Sequence, residues 1–317
     1  MTTERIDTDI TRMFNLGVPV IGAPMFLVSR EKLVAAVSNA GGLGCFPSLN
    51  YRTNEEFRAA LANVRALVGD RPIGVNLIAR DTNEATNPRL YEDIAACIDA
   101  KVALIVTSLG NPAPIIAKVR PHGIKVFCDV INLKHALKVK SAGADGLIAV
   151  CAGAGGHAGA TSPFVLVPWL VKETGLPVVA GGGIGTGEQM LAAFALGAGA
   201  VYMGTRFIAT PEADAQDEYK QMMIDCSPDD IVYTNKVSGF NANFMKPSVD
   251  AQFGKGSAWK DIWSAGHGIA QVDRVEPVAT IMERMLREYA DALARVTALS
   301  PIPSPRRGEG LGESGKG

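Results

Sequence analysis

Apolar runs of strand length recur along this chain, and none shows the polar alternation of a strand with one wet face. They read VPVIGAPM from Val18, LGCFPSL from Leu43, PIGVNLI from Pro72 and VALIVTSL from Val102. Four more follow: KVFCDV from Lys125, GLIAVCAG from Gly146, PVVAGGGI from Pro177 and AVYMGTRF from Ala200. Unbroken apolar character is what a strand buried on both faces needs. The runs start roughly 20–30 residues apart, enough for a strand, a covering helix and two loops. Between them lie stretches of helical period with their own end signals. Ser29 stands as an N-cap before a stretch that closes on Asn39-Ala-Gly-Gly42, and Thr53-Asn-Glu-Glu56 has the form of a capping box. Further stretches run from Asn132 to Ala142-Gly143 and from Thr186 to Gly197.

Eight buried strands alternating with helices predict an α/β fold, a closed (β/α)8 TIM barrel. The rival is an open doubly wound sheet, which needs G-x-G-x-x-G after its first strand. That turn reads Gly22-Ala-Pro-Met-Phe-Leu-Val-Ser29, so the barrel is preferred. After Phe207 the pattern changes: residues 211–260 carry more charge and no clear strand, and predict a smaller, mainly helical insertion or lid over the site. An amphipathic helix from Pro277 to Val296 then returns to the barrel wall, with its proline in the first turn. The barrel is therefore expected to comprise residues 1–210 and 261–300. The Pro/Gly/Ser-rich stretch 301–317 reads as a flexible tail without function.

Composition narrows the class. A chain of 317 residues suits a barrel of about 250 residues with one insertion. Its 31 Lys+Arg and 32 Asp+Glu leave a net charge of −1, which argues against a nucleic-acid surface or a polybasic membrane face. No apolar run approaches the roughly 20 residues of a membrane span, and the polar, acid-bearing start is not a signal peptide. Five cysteines occur singly, so no zinc or other metal site and no disulfide framework is expected, and the cytoplasm is the expected compartment.

In a parallel barrel the chemistry sits at the C-terminal ends of the strands. Strand seven ends in Ala180-Gly-Gly-Gly-Ile-Gly-Thr-Gly187 and strand eight in Met203-Gly-Thr-Arg-Phe207. Glycines let backbone N–H groups approach an anion, a following helix N-terminus adds a favourable dipole, and these two loops form the recurrent phosphate cradle of the architecture. Thr205 and Arg206 strengthen that phosphate reading; glycines demanded only by a tight connection are the alternative. Strand six ends in Cys151-Ala-Gly-Ala-Gly-Gly-His157, which puts a solitary imidazole at the same face, able to accept a proton or bind an anion. A loop histidine bonded to backbone is the plainer reading. His122 and His135 fall in helical patterns, His267 either flanks a planar ring or starts a helix, and Cys151 lacks a base to make it a nucleophile.

These residues together resemble the nitronate monooxygenase (2-nitropropane dioxygenase) family of FMN-dependent barrel enzymes. The resemblance runs from Val18 to Arg206 and again through Trp263-Ser-Ala-Gly266. It is carried by Gly22-Ala-Pro-Met25, Asn39-Ala-Gly-Gly-Leu43, Gly74-Val-Asn-Leu77, Ala154-Gly-Gly-His-Ala-Gly159, Ala180-Gly-Gly-Gly-Ile184 and Met203-Gly-Thr-Arg-Phe207. NADH:quinone reductases and FMN-dependent enoyl-acyl-carrier-protein reductases share most of these motifs. The resemblance implies FMN as cofactor, with Ala23, Pro24 and Met25 along the isoalloxazine, Asn76 on the flavin, and Gly182, Gly183, Gly204 and Thr205 on the phosphate. It also brings Gly156, Ala180, Gly181, Met203, Trp263, Ser264 and Gly266 to the cofactor and makes His157 the catalytic residue. Where relatives often carry Lys or a small hydroxyl residue, this chain has Asp129, which disfavours an anionic reduced flavin unless it is protonated or turned to solvent.

The implied reaction is oxidation of alkyl nitronates by O2 to a carbonyl compound and nitrite, in a monomer or homodimer. The runner-up is NAD(P)H:quinone reduction, to which Trp263–Gly266 and Asp273-Arg-Val-Glu-Pro277 lie somewhat closer; enoyl-carrier reduction is third. A barrel binding a sugar phosphate without flavin would present the same phosphate loops.

Overall fold

The computed structural model describes residues 6–299, and the stretch 301–317 lies outside the described residues. Each apolar run contains a strand: β1 (Val20–Gly22), β2 (Leu43–Pro47), β3 (Ile73–Ile78), β4 (Leu104–Ser108), β5 (Lys125–Val130) and β6 (Gly146–Val150). A two-residue strand, β7 (Gly156–His157), stands outside the barrel, and β8 (Val178–Gly181) and β9 (Ala200–Met203) complete it. All barrel pairings are parallel, in the order β1-β2-β3-β4-β5-β6-β8-β9, and the ring closes where Val20, Ile21 and Gly22 pair with Val201, Tyr202 and Met203.

Alternation along each strand sorts the residues into two cores. Inward go Ile21, Leu43, Cys45, Leu104, Val106, Phe127, Ile148, Val179 and Ala200, one buried cluster. The short helix Asp9–Phe14 closes the far end of the ring, its Ile10 and Phe14 joining that cluster and Phe14 meeting Phe127 edge-on at 5.6 Å. Gly146 makes room for the Phe127 ring, which a Cβ at that position would meet at 2.5 Å. Outward-facing residues such as Val20, Phe46, Val75, Ile105 and Val201 pack under the helices in a second, larger cluster.

The helix-end signals hold with one exception. Thr53 and Glu56 form a capping box, as do Thr186 and Gln189, and the Asn132 side chain accepts the His135 N–H. Ser29 does not cap the helix Glu31–Asn39; that position belongs to Arg30, which makes no side-chain cap bond. Ser29 Oγ instead accepts the Met25 N–H at 3.0 Å and donates to the Ala23 carbonyl at 3.1 Å, pinning the loop after β1.

Residues 211–260 contain the helices Asp217–Asp225 and Lys246–Gln252 but also two strands that the pattern did not signal, β10 (Ile231–Thr234) and β11 (Ala242–Met245). They pair antiparallel, and β11 pairs in turn with β7, setting Ala242 against His157 and Asn243 against Gly156. Four residues are too few to show a period. The final helix, Val278–Thr297, starts after Pro277, which is its N-cap. It packs on the helix Gly187–Ala195 so closely that a Cβ on Gly187 would lie 2.1 Å from the Tyr289 nitrogen.

Beneath this contact, Arg206 is buried and donates to Glu276 at 2.6 Å, and Arg284 donates to the same carboxylate. Removing the shared acid strands Arg206 away from water, and breaking a buried pair from one side costs about 3–5 kcal/mol. Glu276→Ala should therefore lower unfolding stability by about that amount in urea titration. Arg206→Met combined with Glu276→Leu should recover much of it.

Candidate functional site

The barrel mouth encloses a cavity of about 450 Å³, its floor the last inward layer of the strands. Phe127 points inward, so Asp129, two residues further along β5, points the same way one layer higher. Asn76, Ser108 and Tyr202 share the cavity lining with it. These polar groups form a chain. Asn76 Nδ2 donates to Ser108 Oγ at 3.0 Å and to the Val106 carbonyl at 3.1 Å, and Ser108 Oγ donates to Asp129 Oδ2 at 2.5 Å. Asp129 Oδ1 is shielded from water and has no hydrogen-bond partner. Burial pushes its carboxyl up to about 6, against the lowering effect of the Ser108 bond.

One wall is Ala23, Pro24 and Met25, held by Ser29 and by the Ala23 N–H donating to the Met203 carbonyl at 2.7 Å. The lining continues through Gly204, directly beside Ala23 and Met25, and through Gly156, Gly181, Gly182, Gly183 and Thr205. Gly182 and Gly183 have φ of +124° and +71°, a backbone region that only glycine enters freely. Among the described residues the Gly183 N–H makes no backbone hydrogen bond, and a Cβ there would meet only His267 Cβ, at 3.9 Å. Thr205 Oγ1 accepts the Gly266 N–H at 2.9 Å, which leaves its own proton free to be donated. The arc thus offers amide and hydroxyl donors on an open face, a geometry suited to an anion.

Two parts of the phosphate expectation are corrected. The helix after β8 does not contribute its N-terminus: its first turn is sealed by the Thr186–Gln189 box, and the Gly187 N–H donates to Glu288 at 2.9 Å. Arg206 does not reach the cavity either, since its guanidinium lies in the buried pair with Glu276.

Four of the residues brought in by resemblance stand outside the cavity lining. Ala180 and Met203 have the wrong parity: Gly181 and Tyr202 face the mouth, while their neighbours are buried in the core beneath the helices. Trp263 stacks on Tyr219 (5.0 Å, 7° between planes) and donates to the Lys260 carbonyl. Gly266 is a packing glycine, since a Cβ there would meet the Gly153 oxygen at 2.2 Å. Ser264 does line the cavity, and its carbonyl accepts the Tyr219 hydroxyl at 2.5 Å.

His157 stands on β7 at the mouth, in the cavity wall, braced through its backbone by β11. Its imidazole meets Trp259 edge-on at 5.2 Å and Phe240 at 5.6 Å. Burial, and then the positive charge of Arg80, lower its pKa below the ordinary imidazole value and favour the neutral ring. Arg80 itself lies over Phe240, 5.5 Å from the ring centre. Asn243, buried in β11, donates to the Ala154 carbonyl at 2.7 Å and fixes the loop that carries His157. Trp259, Phe240, Asn243 and Tyr219 were not foreseen, because all lie in the region whose strands were illegible.

The remaining candidates stay apart. Cys151 is fully buried and its thiol is pushed up to about 12, which removes it as a nucleophile. His122 and His135 sit in the turn Arg120–His122 and the helix Leu133–Ser141. His267 opens the turn His267–Gln271 and donates its backbone N–H to the Gly153 carbonyl at 2.8 Å. No group of three His, Cys, Asp or Glu side chains among the described residues is placed to hold a metal ion, and no described helix is long and apolar enough to cross a membrane.

Comparison with known proteins agrees with this architecture. A dehydrogenase of Mycobacterium tuberculosis, named for a 5-hydroxy-7a-methyl-1-oxo-octahydro-1H-indene-4-carboxyl-CoA, is 32% identical over 256 residues, which is 80% of this chain and 70% of that protein. A nitronate monooxygenase of Paraburkholderia phytofirmans is 30% identical over 293 residues, 79% of this chain and 80% of its own. The solved structure of FabK from Thermotoga maritima superposes with a TM-score of 0.81 at 30% identity, over 92% of this chain and 99% of the other. That of a nitroalkane oxidase from Streptomyces ansochromogenes gives 0.77 at 26%, over 90% and 99%. The family model described as nitronate monooxygenase matches residues 7–255, so this chain is an oxidoreductase of the nitronate monooxygenase family.

Proposed function

We propose that this protein is an FMN-dependent oxidase of alkyl nitronates, turning them with O2 into a carbonyl compound and nitrite. The observation that carries the reading is His157, its imidazole set against two aromatic rings at the mouth of a cavity that is also lined by glycines. FMN fits the residues present. The donors at Gly183 and Thr205, beside Gly182 and Gly204, suit its phosphate. Ala23–Met25 and Asn76 suit the ring. Gly155 and Gly182 let these loops pack closely around the arc, since a Cβ would lie 2.9 Å from the Gly266 nitrogen and 2.8 Å from the Ala152 oxygen. Bound FMN supplies the electron-accepting chemistry.

The protein's own groups handle the proton and the charge. Neutral His157 has one nitrogen free to accept and one N–H to donate. It removes the α-proton of a neutral nitroalkane at the free nitrogen, or donates to a nitro oxygen of a preformed nitronate. Trp259 and Phe240 meet the ring edge-on, and its lowered pKa favours the neutral form. Arg80 lies close enough to disfavour the imidazolium and adds positive potential at the mouth for an anionic substrate.

A second reading has one observation in its favour. Phe26, Leu49 and Leu109 line the cavity yet are 43%, 53% and 39% exposed, an apolar rim wider than a short nitronate needs. That rim suits a bulky acyl thioester or quinone, in line with the carboxyl-CoA dehydrogenase among the relatives, and NAD(P)H would then be the reductant. Anaerobic NADH separates the two. An oxidase leaves the flavin yellow, whereas bleaching within seconds favours the nicotinamide-linked reading.

His157→Asn should keep the fold and FMN while turnover of neutral nitroalkane drops by about 10²–10⁴, the usual worth of a general base. Turnover of preformed nitronate should drop less, and equal losses on both substrates would remove the base role. Because the His157 pKa is lowered, the proton-accepting form persists to more acidic pH than for a free imidazole. Nitroalkane kcat/KM should therefore rise with pH to a plateau, with its midpoint below about 6.5. A midpoint above that value would contradict the lowered pKa.

A further inference from the structure

We propose that Asp129 sets the charge that the bound cofactor ring can carry: its carboxyl accepts the imide N–H of the FMN ring and opposes negative charge on that ring. The inference rests on the FMN reading above. It begins with the direction of a hydrogen-bond chain. Asn76 donates to Ser108, Ser108 donates to Asp129, and nothing donates further, so the chain ends on a carboxyl with acceptor capacity unmet. That carboxyl belongs to the cavity lining at the end of β5, in the layer above Phe127. Asp129 is only partly buried although Oδ1 itself is closed off, so a ligand N–H meets this carboxyl at the oxygen turned to the cavity or after a rotation about χ2, and pairing it offsets the cost of the unmet acceptor.

The surroundings leave the carboxyl's charge uncompensated. The titratable groups coupled to it are Cys45 on β2, Cys128 on its own strand and Tyr202 on β9. All three are acids that burial keeps protonated, and the Asp129 charge raises each further. Among the described residues no cation lowers the Asp129 pKa; the Ser108 hydroxyl alone does so, and burial outweighs it. A carboxylate in this layer favours a neutral ring bearing N–H donors and disfavours an anionic one. Two-electron reduction of FMN with one proton leaves an anion, and with two protons a neutral ring. Asp129 therefore selects the two-proton course. As pH falls through about 6 the carboxyl takes up a proton and the selection fades.

The experiment is the midpoint potential of the FMN-loaded protein against pH, for the wild type, Asp129→Asn and, as a second variant, Asp129→Ser. At pH 8 the variants should favour the reduced form at least tenfold more than the wild type, a rise of about 30 mV for a two-electron couple. The gap should close below pH 6. The wild type should keep the two-proton slope, about 60 mV per pH unit, to a higher pH than either variant, which should turn to about 30 mV per pH unit first. Superimposable profiles with FMN bound in all three proteins overturn the assignment and leave the FMN reading intact. Failure of the wild type itself to bind FMN overturns both.

Discussion

A parallel strand shows every second side chain to the inside of the ring, and at the C-terminal ends the inside of the ring is the cavity. Nearly everything in the candidate site follows from that constraint. Phe127 fills the interior and Asp129 above it faces the mouth; Gly181 and Tyr202 face in, while Ala180 and Met203 are lost to the helix-packed wall. The closure of β9 onto β1 then brings the loop after β1 to within packing distance of Gly204, where a Cβ would lie 3.3 Å from both Ala23 Cβ and Met25 Sδ. Shortening or shifting one strand by a residue would exchange the two faces and remove the site with the core.

The insertion supplies what the barrel lacks. A glycine-rich loop has little to hold a side chain in place, yet His157 is fixed because β11 pairs with it and Asn243 bonds the loop before it. Trp259 and Phe240 come from the same insertion and both meet the imidazole edge-on. Barrel and insertion are therefore joined at the residue assigned the proton chemistry, and a loosened insertion would affect His157 before it affected the barrel.

The barrel was legible because buried parallel strands are uniformly apolar and the helix ends carry capping chemistry at Thr53, Asn132 and Thr186. Ser29 misled, since a hydroxyl before a helix serves equally well to pin the preceding loop. In the site, glycines and a lone histidine at strand ends could be read directly from the chain. Burial parity could not be read from a motif, so Ala180 and Met203 were assigned to the cofactor beside neighbours that do face the cavity. Arg206 looked like an anion ligand because its partner, Glu276, is 70 residues away. Trp259 and Phe240 gave no signal, as both sit in loops of the insertion outside β10 and β11, where no period marks them.

In the proposed function, the loops after β8 and β9 hold the terminal phosphate of a flavin mononucleotide. Titrating the cofactor-free protein with FMN and with riboflavin, which lacks that phosphate, tests it most directly. Charge-assisted hydrogen bonds contribute about 1.5–3 kcal/mol each, so two of them predict a preference for FMN of at least about 100-fold in Kd. Equal affinities would contradict the account.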